Sequence, residues 1–338
     1  YALVVTNVKK EMILLPYKEE SRLISELEDI TFDEHKTASI LYTLYEQLWK
    51  PIEDRVATKN VVIIPDGPLF NVSFETLSTK KASTYNEIIK NGLLKKHVIS
   101  YNYSLLLLNS KTNNTVFNKN LIAFAPEFTG DMKQDYKISI KDSINTDNTY
   151  LTLLPQPFSA DLAKKSSKQY GGEVFLNTNS TEAIFKNNAA EHKIIHIGTH
   201  AESNNINPEL SRLIFAKSVG NHEDNSLYTY EIYNTNLSSN LAVLTACETG
   251  KPSYQPGEGM ISLAHAFNYA GSESMLTSLW EIDEQSSTQI IGYFYKELAK
   301  GLPKDEALNN AKLKYLETAQ GRTLSPQYWA GLVLIGDT

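Results

Sequence analysis

The sequence predicts an α/β fold, a mainly parallel sheet flanked by helices. Three observations lead to it. Short runs rich in Val, Ile and Leu recur at Tyr1 to Thr6, Asn60 to Ile64, Leu121 to Ala125, Lys193 to Gly198 and Leu241 to Leu244. Segments with helical apolar spacing, about 10 to 15 residues long, alternate with such runs, as in βαβ units. The runs end at Pro, Gly or polar clusters, which close strands and open turns. At 338 residues the chain exceeds the usual single core, so two regions are expected, 1–118 and 119–338.

In the first region, strands over Tyr1 to Thr6 and Glu11 to Leu15 are joined as a hairpin through Asn7 to Lys10. Helices are expected over 19–30 and 34–50. In the second, Ile40, Leu41, Leu44, Leu48 and Trp49 make one stripe that Pro51 ends. Strands at 60–64 and 97–101 follow, with Pro65-Asp66-Gly67-Pro68 as a turn after the first. The polar stretch Asn109 to Asn120 carries the boundary. Because Tyr1 leads directly into a strand, a longer protein with an upstream part is expected.

The second region restarts the pattern. Strands are expected at 121–125, 173–176, 193–198, 213–216, 241–244, 274–280 and 329–335. Helices are expected over 158–169, 180–190, 258–270, 284–299 and from Pro303 to about 318, with Gly271 as the cap of the third. Residues 129–150, rich in Asp, Lys, Ser, Thr and Asn without an apolar stripe, read as a long mobile surface loop. With 218–226, that loop is a place where self-cleavage would be tolerated.

Composition excludes several functions. A net charge of -7 without a run of Lys and Arg offers no face for phosphates, so no direct nucleic-acid partner is expected. No stretch reaches the roughly 20 apolar residues that span a bilayer, and no basic signal segment opens the chain. A cytoplasmic protein without a membrane partner is the expectation. The single cysteine allows no internal disulfide and no CxxC metal site, fits a reducing compartment, and draws attention to that one thiol. No GxxxxGK[ST] or GxGxxG pattern occurs, so no cofactor is expected.

In parallel sheets, reactive groups sit beyond the carboxyl ends of strands. Two positions satisfy that rule. His200 leaves the run Lys193-Ile194-Ile195-His196-Ile197-Gly198-Thr199, and Cys247 leaves Leu241-Ala242-Val243-Leu244-Thr245-Ala246. A thiol with a pKa of about 8.5 is mostly protonated at neutral pH, and an imidazole within reach removes its proton. The attacked carbonyl then needs donors for its oxyanion, and the backbone N–H groups of Cys247 and Ala201 are the candidates. His192, His196 and His200 would share one face of a helix, but the Ile-rich run favours a strand, so no metal site is expected. His196 and Thr199 then read as packed or hydrogen-bonded neighbours of the pair, and Glu248 as solvated or positioning the Cys loop rather than orienting the imidazole.

The segments His196-Ile197-Gly198-Thr199-His200-Ala201 and Leu244-Thr245-Ala246-Cys247-Glu248-Thr249-Gly250 resemble the His and Cys motifs of the CHAT domain, a caspase-like family related to separase. Pro65-Asp66-Gly67-Pro68-Leu69, Gly257-Glu258-Gly259-Met260 and Ser278-Leu279-Trp280-Glu281-Ile282-Asp283 match it as well. The resemblance covers most of the chain. It implies a caspase-type α/β fold, a Cys/His dyad without a metal, and regulation by an upstream TPR-type region or an activating partner. Two departures stand out. Ala201 follows His200 where caspase-type sites often carry Gly, and Thr245 stands where metacaspases place a selectivity-determining acid.

The expected function is therefore a cysteine endopeptidase acting on protein or peptide substrates in an intracellular signalling or defence pathway. Region 1–118 would be its catalytically silent caspase-like companion. Asp283 is either the N-cap of the helix that follows it or, as for the similar acid of separase, the S1 carboxylate that pairs with a basic P1 residue. Glu281 is its rival in that role, and Thr245 a further S1 candidate. The alternative function is a scaffold or signalling module that keeps the dyad residues without turnover.

Overall fold

The computed structural model describes residues 1–16, 20–29, 33–109, 119–140, 146–204, 206–217, 224–245, 253–255 and 259–338. The chain begins with a hairpin of β1 (Ala2–Val5) and β2 (Lys10–Ile13), then α1 (Glu20–Asp29) and α2 (Glu34–Leu44). Asp33 caps α2 by accepting from the Lys36 N–H. The apolar stripe of α2 continues through a π-helical turn, Tyr45–Trp49, before Pro51. There follow β3 (Asn60–Ile63), α3 (Tyr85–Asn91), β4 (Val98–Tyr101), β5 (Lys119–Ala125), α4 (Gly130–Ser139), α5 (Asn148–Thr152), α6 (Pro157–Tyr170) and β6 (Glu173–Leu176). Next come α7 (Glu182–Asn188), β7 (His192–Ile197), β8 (His200–Glu202), β9 (Arg212–Ile214), β10 (Ser226–Tyr228), α8 (Thr229–Tyr233) and β11 (Leu241–Leu244). The chain closes with β12 (Ser253–Gln255), β13 (Gly259–Ile261), α9 (Leu263–Tyr269), β14 (Ser274–Ser278), α10 (Glu284–Leu298), α11 (Lys304–Thr318) and β15 (Leu332–Gly336).

Eight strands form one sheet in the order β3-β4-β15-β14-β11-β7-β5-β6. Every pair in it is parallel except β14 with β15. The fold is thus α/β with a mainly parallel sheet flanked by helices, as the alternation of runs predicts. Strands from both sides of residue 118 share this sheet, and the boundary itself adjoins 110–118, which lies outside the described residues.

Side-chain alternation divides the core between two faces. Leu121, Ile194, Val243 and Leu276 pack with Leu162 of α6, Ile290 and Phe294 of α10 and Leu308 of α11. Their neighbours Ile122, Ile195, Ala242 and Met275 pack on the other face with Phe185 of α7, Ile232 of α8 and Phe267 of α9. Burial on both faces is why these strands read as continuous apolar runs. A third cluster joins Leu41, Leu44 and Trp49 to Ile99, Val333 and Ile335.

Three expectations are corrected. Residues 129–150 are no extended loop, since α4 and α5 occupy most of them; Thr129 and Asp147 cap the two helices by accepting from the Met132 and Tyr150 N–H groups. Residues 141–145 lie outside the described set. The helix expected over 258–270 starts at Leu263, capped by Ser262, and Gly259–Ile261 forms a strand paired with β12. The strand expected from Trp329 starts at Leu332, after a 3-10 turn at Pro326–Tyr328. Of the small sheet β10-β9-β8 only β9 answers to an expected strand, the one at 213–216; β8, β10 and the helices α3 and α8 are not among the expected elements. Gly271 does follow α9 with φ +107°, a conformation that favours glycine.

Candidate active site

Because β5, β7, β11 and β14 are parallel, their carboxyl ends share one sheet edge. At β7 the Ile-rich run ends on Gly198, whose N–H donates to Phe124 O at 2.8 Å. A Cβ at this position would lie 3.1 Å from both Ser159 Cβ and Thr245 Oγ1, so a side chain here would press on the two neighbouring elements and glycine lets them approach closely. Thr199 is buried, and its hydroxyl donates to Ile214 O. That bond helps turn the chain out of the main sheet into β8, where His200 pairs with Ile214 and Ala201 with Leu213. Glu202, the last residue of β8, holds Arg212 through Nε at 2.9 Å and Nη2 at 2.8 Å.

His200 is half-buried, and its Nε2 lies 2.8 Å from Leu154 O. A carbonyl can only accept, so Nε2 carries the hydrogen and the neutral ring presents its lone pair at Nδ1. The ring packs on Phe128, centroids 5.2 Å apart. Burial lowers the His200 pKa; the bond to Leu154 O opposes this, nearby Lys133 adds to it, and Glu281 and Glu202 oppose it. The balance favours neutral imidazole, the form that accepts a proton.

The neighbouring strand β11 is buried throughout, with Leu244 opposite Ile197. Thr245 extends the ladder, its N–H donating to Ile197 O at 2.9 Å and its hydroxyl to the same oxygen at 3.2 Å. Cys247 and Glu248 lie outside the described residues. From β14 the chain continues through buried Leu279 and half-buried Trp280, whose Nε1 donates to Gln327 O at 3.1 Å. Glu281 is exposed and near enough to raise the basicity of His200. Asp283 is the N-cap of α10, its Oδ1 accepting from Ser286 N at 2.9 Å and Ser286 Oγ at 2.8 Å.

A family profile described as CHAT domain matches residues 39–337. The chain belongs to the CHAT domain family. Among curated relatives, tetratricopeptide repeat protein 28 of Homo sapiens is 37% identical over 79 residues, 23% of this chain and 3% of that protein. Its Mus musculus counterpart is 28% identical over 106 residues, 31% of this chain and 4% of that protein. This CHAT domain therefore spans a small fraction of the length of the relatives it matches. Similar solved structures include the pro- and mature domains of Porphyromonas gingivalis RgpB, 12% identical, covering 96% of this chain and 77% of that one, with a TM-score of 0.49. The Saccharomyces cerevisiae separase–securin complex is 12% identical over 88% of this chain and 17% of that one, with a TM-score of 0.48.

In this CHAT domain the three histidines of the 192–200 segment do not share a helical face, since β7 is a strand. His196 is fully buried, its Nδ1 2.9 Å from the Tyr295 hydroxyl, and burial pushes its pKa down to about 4. It is neutral. Two groups of the CHAT domain escaped sequence reasoning. Leu154 contributes through its backbone oxygen, which no residue type announces. Glu284 reaches from α10 to accept from the Ser159 N–H at 2.8 Å, joining α10 to the first turn of α6. An acid directly after a capping Asp was the available signal.

Proposed function

We propose that this CHAT domain is a cysteine endopeptidase with Cys247 as nucleophile and His200 as general base. One observation carries the reading. Leu244 pairs with Ile197 at the carboxyl ends of the adjacent parallel strands β11 and β7, and along the sequence His200 follows Ile197, and Cys247 follows Leu244, by the same three residues. His200 Nδ1 takes the thiol proton, the thiolate attacks the peptide carbonyl, and the N–H groups of Cys247 and Ala201 bind the oxyanion. The imidazolium then gives its proton to the leaving amine, and water hydrolyses the thioester.

A basic P1 residue would meet the acids that follow β14. Asp283 is engaged as a helix cap, which leaves Glu281, nearer His200 in its electrostatic effect, as the first choice and Asp283 as the second. His196, Thr199, Thr245 and Glu248 position the two loops. Segment 1–118, which supplies β3 and β4, supports the site without taking part in chemistry. The enzyme acts in the cytoplasm, within a signalling or defence pathway, under control of a TPR-type region or an activating partner. The repeat proteins among the relatives also favour a second reading, a regulated interaction module without turnover.

Labelling of Cys247 by a thiol-directed peptide probe, with cleavage of a peptide library by the chain and by Cys247→Ala, tests the proposal. Labelling that disappears in His200→Ala, with library cleavage that Cys247→Ala abolishes, is the expected result. Glu281→Gln should then reduce the preference for Arg over Leu at P1 more than Asp283→Ala does. Equal slow labelling in wild type and His200→Ala, without cleavage, would favour the interaction module.

A further inference from the structure

The segment between β5 and α6 forms a small unit with its own core. Phe128, Tyr150 and Ile214 are buried together, with Tyr136 and Leu153 packed against them. Its base is closed by the Gln156 N–H donating to Glu127 O at 2.9 Å. Phe128, on whose ring His200 rests, has φ +55°, an uncommon conformation for a side chain of that size. The same unit presents Leu154 O to His200 Nε2. The direction of the His200 ring thus depends on how this unit sits on the sheet.

Lys217, just after β9, grips the unit in three ways. Its Nζ pairs with Asp147 Oδ2 at 3.0 Å, at the start of α5. The same ammonium lies over the rings of Tyr136 and Tyr150, 5.4 and 5.6 Å from their centroids. Its backbone N–H donates to the Tyr150 hydroxyl at 3.4 Å, while Nζ also reaches Asp224 O at 3.4 Å. Within the unit, Lys133 Nζ bonds Leu153 O, one residue before the orienting carbonyl, and Tyr136 OH accepts from the Asp147 N–H at 2.9 Å. One cation therefore ties both helices of the unit to the strand bearing Ile214, the residue opposite His200.

We propose that Lys217 is a positioning residue for His200: by fixing the α4–α5 unit it holds Leu154 O against Nε2 and keeps the lone pair at Nδ1. The functional part of this inference rests on the peptidase reading; the tautomer part does not. Long-range 1H–15N spectra of histidine-labelled protein read the tautomer directly, with His200→Gln assigning the signal. Wild type should show Nε2–H. Lys217→Met should show a mixture of tautomers with the His196 and His265 signals unmoved, and Lys217→Arg should restore the wild-type pattern. Cys247 labelling should fall about tenfold or more in Lys217→Met, because the wrong tautomer puts a proton where a lone pair is needed. If Lys217→Met does not fold, Asp147→Asn, which keeps the lysine, gives the same comparison. An unchanged tautomer and labelling rate in a folded variant overturns the inference and leaves the peptidase reading standing. A tautomer shift with labelling that never depended on His200 sustains the positioning role and removes the peptidase reading.

Discussion

Glu75 and Lys312 form a buried ion pair between the 3-10 turn Phe74–Thr76 and α11, with Ser73 Oγ 3.4 Å from the same carboxylate. Lys312 is 1% exposed and Glu75 5%. Burial pushes Glu75 up and Lys312 down, each toward its neutral form, and their mutual attraction opposes both shifts. Lys312→Met keeps the volume and strands the carboxylate. Glu75 can escape by binding a proton, which at pH 7 costs about 1.4 kcal/mol for each unit above an ordinary carboxyl pKa, roughly 3.7 kcal/mol in all. That agrees with the ~3 to 5 kcal/mol found when one member of a buried pair is removed. The escape becomes cheaper in acid, so the loss should shrink to about 1 kcal/mol at pH 5. Urea unfolding of wild type, Lys312→Met and Lys312→Met/Glu75→Gln at both pH values measures this, and the double variant should recover most of the loss. A single variant within 1 kcal/mol of wild type at pH 7, or a loss independent of pH, would refute the reasoning.

Two further outcomes follow from the strand ends. His196 titrates at about 4 in the fold against about 6.5 when unfolded, so between those values the unfolded chain binds more protons and stability falls as pH falls. The expected loss from this residue is about 2 kcal/mol at pH 5, visible as a shallower pH dependence of unfolding in His196→Gln. Gly198→Ala would press a methyl group against Ser159 and Thr245, and should cost about 1 to 3 kcal/mol by thermal unfolding while slowing Cys247 labelling. Normal labelling in a fully stable Gly198→Ala protein would show that the tight approach is unnecessary.

The strands that meet at the site were legible because burial on both faces leaves unbroken apolar runs, as at Leu241–Leu244. Asp283 was legible as a cap because its side chain answers a local need of the next helix. The α4–α5 unit was not, since α4 buries Met132 alone and the unit's contacts come from Phe128, Tyr136, Tyr150 and the distant Ile214. The direction of β15 was equally hidden, because an apolar run carries no information about the polarity of its neighbour. Leu154 O escaped for a third reason, namely that it is backbone.

The placement of β15 sets the order in which the molecule can be assembled as it is synthesised. β15 lies between β4 and β14, so β3 and β4 cannot be joined to the rest of the sheet until residue 336 has left the ribosome. At synthesis rates of about 5 to 20 residues per second, the edge of β14 next to the site stays open for several seconds after β14 itself has emerged. During that interval its unpaired backbone N–H and C=O groups are open to pairing with other strands. The same delay leaves the carboxyl end of β14 unfinished, because Gly331 O, which accepts from the Leu279 N–H, comes just ahead of this strand.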